Sequence, residues 1–273
     1  MPSDPAATLR HLIAAHEAVF DGLLAATADL DDAAWARTTG CPGWDVHDQL
    51  AHCVGLERRM LGDDEVDPHV VVADAPHLTD GIKRYLERDV AARRGWPADQ
   101  LLAEARETFA RRRAALDALT PEDLGERIVG PMGPMKQSGA LRMRVFDLAS
   151  HERDVRGALD LLDGWSGPHV ELSVEQALRG WAARWPEAGE VGAVRVEVAG
   201  AAPAVIDLGT GGLRRPQGGD DDPELASLTL RSSAAEAVAL AGGRDDAPDL
   251  GALDVAGDRD LAATVLAHAA MTP

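Results

Sequence analysis

The chain has 273 residues, enough for two domains of ordinary size. Its 46 acidic residues against 27 basic ones give a net charge of -19, which repels phosphate backbones and anionic headgroups and so excludes general nucleic-acid and membrane-surface binding. Hydrophobic residues at 45% and charged residues at 27% suit a packed globular core, and two cysteines are too few for a disulfide scaffold. The opening MPSDPAATLR lacks a basic segment followed by an apolar one, and no apolar run reaches the roughly 18 residues of a membrane span, so the reading is cytoplasmic, with no membrane partner. Of the 27 basic residues only Lys83 and Lys136 are lysines, the bias of a GC-rich genome.

From Pro5 to about Ala28, Leu9, Leu12, Ile13, Val19, Phe20, Leu23 and Leu24 recur at three- and four-residue intervals behind the capping pair Asp4-Pro5, which predicts a helix. Cys41-Pro42-Gly43-Trp44 precedes a second helix to about Leu61, with Asp45 placed to cap the backbone of Asp48. Asp63 to His77 reads as a loop, Leu78 to Arg94 and Pro97 to Leu119 as helices, and Gly130-Pro131-Met132-Gly133-Pro134 as a separator before a helix from about Ser138 to Leu162. Helices joined in this way form a bundle.

The second half changes character. After a helix from about Val170 to Trp185, Val194–Val198 and Ala204–Leu208 alternate and are β-branched, with Ala202-Pro203 suited to a hairpin. Leu225 to Arg231 is a third strand candidate, and Ala234 to Leu240 and Leu261 to His268 are short helices. The expected fold is therefore α+β, a helical bundle over residues 1–162 followed by a small α+β domain over 163–273. Gly219-Asp220-Asp221-Asp222-Pro223 lacks the ligand spacing of a calcium loop, and Ile206 to Gly212 lacks the spacing and following helix of a phosphate-binding turn and reads as a flexible loop.

Asp147 and His151 lie four residues apart on the last bundle helix, one turn above the other. His151 falls inside the stripe of Leu141, Val145, Leu148 and Val155, with Asp147 at its edge, so both point toward the bundle interior. A carboxylate there needs a partner, because an ionised group removed from water is costly unless paired or bound to metal. His52 flanks the apolar stripe of the second helix; if the two helices are neighbours, two imidazoles and a carboxylate converge with one position open, the ligand set of a catalytic zinc site that iron or nickel also accepts. The same spacing equally suits a hydrogen-bonded Asp/His pair and a partly buried histidine.

The segment from Cys41 to Gly55, CPGWDVHDQLAHCVG, and the segment from Phe146 to Leu159, FDLASHERDVRGAL, resemble the paired signatures of the mycothiol-dependent maleylpyruvate isomerase family within the DinB-like metalloenzyme superfamily. The resemblance implies a DinB-like four-helix bundle with His52, Asp147 and His151 as ligands of a divalent metal, Zn2+ first and Ni2+ or Fe2+ as alternatives, and Asp147 standing where some relatives have glutamate. It also implies mycothiol as cofactor, a thiol of GC-rich actinobacteria, and therefore an isomerase or S-transferase acting on an electrophilic small molecule such as an unsaturated acid. Arg244, in the glycine-arginine stretch that resembles the end of the family's C-terminal domain, is the candidate for an anionic substrate or thiol carboxylate across the domain cleft; as a residue on its own it reads equally as a solvated arginine. Arg144 reads either as a partner of Asp147 or as a salt bridge to Glu152 or another acid, and Cys41 and Cys53 read as structural. The alternative from a different class is a non-catalytic module that binds a small molecule or a protein and keeps the Asp/His pair as structure.

Overall fold

The computed structural model describes residues 4–63, 69–130, 133–216 and 226–272, and divides into two compact units, Met1–His169 and Val170–Pro273. In the first, helix α1 (Pro5–Thr27) starts where the Asp4 carboxylate accepts from the amides of Ala6 and Ala7 and Pro5 supplies a preset first-turn φ. A single turn, α2 (Asp32–Trp35), leads to α3 (Val46–Met60), on which α4 (Gly81–Arg93) is laid; α5 (Ala98–Asp117) and α6 (Gln137–Ala158) complete the unit. Helix α1 packs against α5 and α6, and α3 packs against the same two, so these four helices close a ring. Their apolar stripes meet inside it: Leu12, Phe20 and Leu23 of α1, Leu50 of α3, Phe109 of α5 and Leu148 of α6 are inaccessible to solvent. Phe20 and Phe109 stack at 4.5 Å between centroids, a contact worth roughly 0.5–1.5 kcal/mol beyond the burial itself.

Several boundaries differ from those expected, and α4 begins at Gly81, three residues after Leu78, because the Asp80 carboxylate caps it by accepting from the amides of Ile82 and Lys83. Helix α6 stops at Ala158, four residues before Leu162, because Asp160 adopts a left-handed conformation with φ 59°, one of the few non-glycine residue types that tolerate it. The separator before it is flanked by a two-stranded antiparallel hairpin, β1 (Arg127–Gly130) and β2 (Gly133–Lys136), whose short strands lack an apolar alternation; residues 131 and 132 lie outside the described residues.

The second unit holds α7 (Pro168–Arg184) for most of its length, followed by β3 (Ala193–Val198), β4 (Ala204–Asp207), β5 (Leu213–Arg214), β6 (Leu228–Ser232), α8 (Ala234–Ala241), β7 (Asp254–Gly257) and α9 (Arg259–Ala267). The sheet order is β5-β4-β3-β6-β7, antiparallel throughout except for the parallel central pair β3 and β6. Along β3, Val194, Val196 and Val198 are buried and the residues between them are not, the period-two pattern of a sheet covered on one face. Trp181 and Trp185 stack at 5.3 Å, and the Trp181 indole donates to the Ala269 carbonyl at 2.9 Å, tying α7 to the end of the chain. The sequence misses β5 and β7, one two residues long and the other mostly exposed. The third strand lies at Leu228–Ser232, while Leu225 and the 219–223 stretch fall outside the described residues. Ile206–Gly212 is a hydrogen-bonded turn, not a flexible loop: the Asp207 carboxylate accepts from the Thr210 amide and hydroxyl, both at 2.8 Å. Among the described residues, no helix is long and apolar enough to cross a membrane.

Candidate metal centre

The Cys41–Trp44 turn is built to aim one side chain. The Trp44 amide donates to the Cys41 carbonyl at 3.2 Å, and Thr38 bridges to Asp45, while the Asp45 carboxylate accepts from the Asp48 amide at 2.9 Å and starts α3. Gly43 sits at φ 80°, and a Cβ there would fall 2.2 Å from His77 Nδ1, so only glycine fits. The turn sends the Trp44 indole inward, where its Nε1 donates to Glu87 of α4 at 2.7 Å and its ring lies 4.8 Å from His52 and 5.7 Å from His151. Glu87 in turn accepts from Arg94, which also holds Asp48.

Because α3 and α6 are neighbours, His52, Asp147 and His151 converge, each offering a ligand atom within 4.8 Å of the others. His52 Nε2 is 3.6 Å from Asp147 Oδ2, His151 Nε2 is 3.7 Å from Asp147 Oδ1, and the imidazole centroids are 4.5 Å apart. These gaps exceed a hydrogen bond and suit an ion seated between the three groups. His52 is 1% exposed, and neither of its ring nitrogens has a hydrogen-bond partner, a costly condition that a cation coordinated at one of them would relieve in part. The donor set therefore fits a divalent transition metal. About a third of the Asp147 side chain stays accessible, so the cluster opens on that side.

Arg144 meets both of its expected roles, since it is a partner of Asp147 and also makes a salt bridge to another acid, Glu57, but not to Glu152. It donates to Asp147, to Glu57 Oε1 at 2.5 Å and to the Cys53 carbonyl at 3.1 Å, while Glu152 pairs instead with Arg156 at 2.6 Å and with His169 at 2.9 Å. Arg112 holds the other oxygen of Glu57 at 2.5 Å, so two guanidiniums share one wholly buried carboxylate. Burial works to raise the carboxyl pKa of Asp147, but the adjacent Arg144 charge outweighs it and holds the group well below the usual carboxylate range. Glu57 is likewise held down by Arg144 and Arg112 against the effect of burial. Both carboxylates are ionised at neutral pH.

Burial pushes the Cys53 thiol well above its ordinary pKa, in keeping with a structural role. Cys41 is less simply placed, since its sulfur, a ring nitrogen of His151 and an oxygen of Asp154 also lie within 4.8 Å of one another. Arg244 belongs to the second unit, where its Nη1 donates to the Gly242 carbonyl at 2.7 Å. His47, within the same motif as His52, turns away and meets Trp35 edge-on and the Trp96 carbonyl.

The residues that sequence reasoning missed are Gln49, Glu57, Thr39 and the Trp44 wall. Gln49 is wholly buried three residues before His52, and its Oε1 lies 2.5 Å from His151 Nδ1. A signal existed for two of them: Gln49 and Glu57 stand one turn before and after the apolar positions Cys53 and Val54, where a solvated polar residue does not belong. Nothing local marks Thr39, which reaches Gln49 only through the fold.

The family model of the mycothiol maleylpyruvate isomerase N-terminal domain matches residues 16–156, a stretch that holds all three clustered residues. No curated protein matches the chain. Among solved structures, a mycothiol-dependent maleylpyruvate isomerase superposes with a TM-score of 0.50 at 14% identity, covering 88% of this chain and 91% of that one. A histidine-to-alanine mutant of a mycothiol-dependent maleylpyruvate isomerase gives 0.51 at 15% identity with the same coverage. At such identity the likeness to these structures speaks for a shared α+β fold. The matched stretch spans just over half of the chain, and the chain belongs to the mycothiol maleylpyruvate isomerase N-terminal domain family.

Proposed function

We propose that this protein is a metal-dependent enzyme that uses mycothiol to isomerise an electrophilic small molecule such as an unsaturated acid, or transfers the thiol onto it through sulfur. The observation that carries this reading is the cluster of His52, Asp147 and His151, with two buried imidazole nitrogens of His52 lacking a hydrogen-bond partner. Zinc is the first choice for two imidazoles and a carboxylate, and nickel or iron suits the same set. A dication and thiol bound there would supply a nucleophilic thiolate at neutral pH, able to add to a conjugated double bond and either leave again after rotation or remain on the product.

The protein's own residues prepare that chemistry. Asp147 contributes a fixed negative charge, kept ionised by Arg144, while Glu57 and Arg112 hold Arg144 in place. Trp44 walls one side of both imidazoles with an apolar ring and keeps water from their faces, its orientation held by Glu87. The accessible flank of Asp147 leaves one side for an exchangeable ligand. Arg244 is proposed to bind a carboxylate of the substrate or thiol. The arginine-heavy composition supports a GC-rich, actinobacterial source, in which that thiol is made.

Metal analysis of the purified, untagged chain tests the first step, with about one equivalent of transition metal expected. A chain that carries none, and acquires none from added zinc or nickel, would favour a non-catalytic binding module. Calorimetric titration of the holo and metal-free forms with mycothiol and glutathione tests the second. Mycothiol is expected to bind in preference and to depend on the metal; binding unchanged by metal removal would sink the thiolate reading. Turnover of maleylpyruvate and of a panel of electrophiles then separates isomerase from transferase.

A further inference from the structure

The hydrogen bonds behind His151 form a chain whose proton positions can be worked out from one end to the other. The Trp44 carbonyl can only accept. The Thr39 hydroxyl lies 2.9 Å from it and takes in two donors of its own, the Cys41 amide at 3.2 Å and the Gln49 side-chain amide at 2.6 Å. A hydroxyl has one proton and two lone pairs; since the Trp44 carbonyl cannot donate, that single proton goes to it, and the Thr39 oxygen can only accept from its other neighbours. Gln49 must therefore turn its NH2 toward Thr39 and its oxygen toward His151, 2.5 Å from Nδ1. An amide oxygen only accepts, so Nδ1 carries a proton, and in the neutral ring Nε2, the nitrogen facing Asp147, then carries the lone pair.

We infer that Gln49 is a positioning residue that, held by Thr39 and the Cys41–Trp44 turn, fixes His151 as the Nδ1–H tautomer and so reserves Nε2 for the metal; this rests on the metal-site reading above. The assignment also separates the two overlapping clusters. Cys41, His151 and Asp154 share an imidazole with the proposed site, but the His151 nitrogen on the Asp154 side, 3.9 Å from Oδ2, is Nδ1, which holds a proton and has no lone pair to give. The ion is thus directed to His52, Asp147 and His151. It also gives the turn before α3 a chemical task beyond placing Trp44, since the carbonyl of that same residue anchors the relay.

The test uses the full chain with zinc ion as the probe. Imidazole 15N shifts of the metal-free protein, with the His151 signals identified by their loss in His151→Gln, should show Nδ1 protonated and Nε2 bare. Gln49→Leu should release the tautomer toward the Nε2–H form and weaken zinc binding by about 10–100-fold in a chelator competition. Thr39→Val leaves Gln49 in place but frees its amide to turn over, and should shift the tautomer in the same direction; it keeps the inference testable if Gln49→Leu does not fold. An Nε2–H tautomer in the wild-type protein, or equal zinc affinity in Gln49→Leu and wild type, would overturn the relay. Failure of the wild-type chain to bind zinc would instead sink the metal reading, and the tautomer measurement, made without metal, would still judge the relay.

Discussion

His151 is the residue on which the proposed chemistry turns, because it belongs to the metal cluster and to the hydrogen-bonded relay at once. Replacing it by alanine removes one of the three proposed ligands, so stoichiometric zinc should be lost while the circular dichroism spectrum stays helical. Full metal content in that variant would show that the ion sits elsewhere. His16 is a different case: it is wholly buried in α1, its Nδ1 donates to the Leu12 carbonyl at 2.8 Å, and burial lowers its pKa from 6.5 to about 4 despite the pull of Glu57. A histidine lowered on folding binds more protons in the unfolded chain between those two values, so its contribution is fully present above pH 6.5 and is lost as pH falls toward 4. The loss on going from pH 7 to 4.5 should reach about 2–3 kcal/mol in metal-free protein. His16→Leu should flatten that part of the stability profile by a similar amount in urea titrations; an unchanged slope would mean that His16 is not the group that titrates.

At the scale of elements, α1 and α6 approach one another closely at a glycine. Gly22 of α1 faces Glu152 of α6 so closely that a Cβ would lie 2.1 Å from Oε1, and that carboxylate is pinned by Arg156 and His169 and has nowhere to go. Alanine is the better helix former by about 1 kcal/mol, yet Gly22→Ala should destabilise the protein by about 1–3 kcal/mol, because overpacking must part α1 from α6 or break the buried ion pairs. Equilibrium urea unfolding decides it, and a gain in stability would mean the two helices separate at little cost. The long helices were legible in the sequence because their apolar spacing carries a strong period and aspartates cap α1 and α3. The hairpin β1–β2 and the edge strands β5 and β7 were not, since two to four residues with little burial leave no pattern to read.

At the scale of the molecule, the groups proposed to act on the metal all fall in the first unit: the three ligands, the Thr39–Gln49 relay, the Trp44 wall and the Arg144–Glu57–Arg112 support. Residues 1–169 expressed alone should therefore be soluble, mainly helical and able to bind one zinc; a spectrum dominated by strand, or loss of zinc binding, would show that the second unit is needed to hold the bundle. The same chain should bind mycothiol more weakly than the full protein if Arg244 receives a carboxylate, and Arg244→Ala in the full protein should reproduce that loss in calorimetry.

The sequence by itself determined what local periodicity and residue chemistry can carry: the α+β class, the helical first half, the capped turn before α3, and the candidacy of His52, Asp147 and His151. It put His151 one turn from Asp147 because a helix returns to the same face every three to four residues. Only the tertiary structure decided that α3 and α6 are neighbours, which brings His52 to that pair across 95 residues of chain from Asp147. It alone assigned Arg144 to Asp147 and Glu57 instead of Glu152, and it alone joined Thr39, Gln49 and His151 into one line of hydrogen bonds. The physical reason is the same in each instance: periodicity tells which face of a helix turns inward, whereas the partner it meets there is chosen by the packing of the whole core.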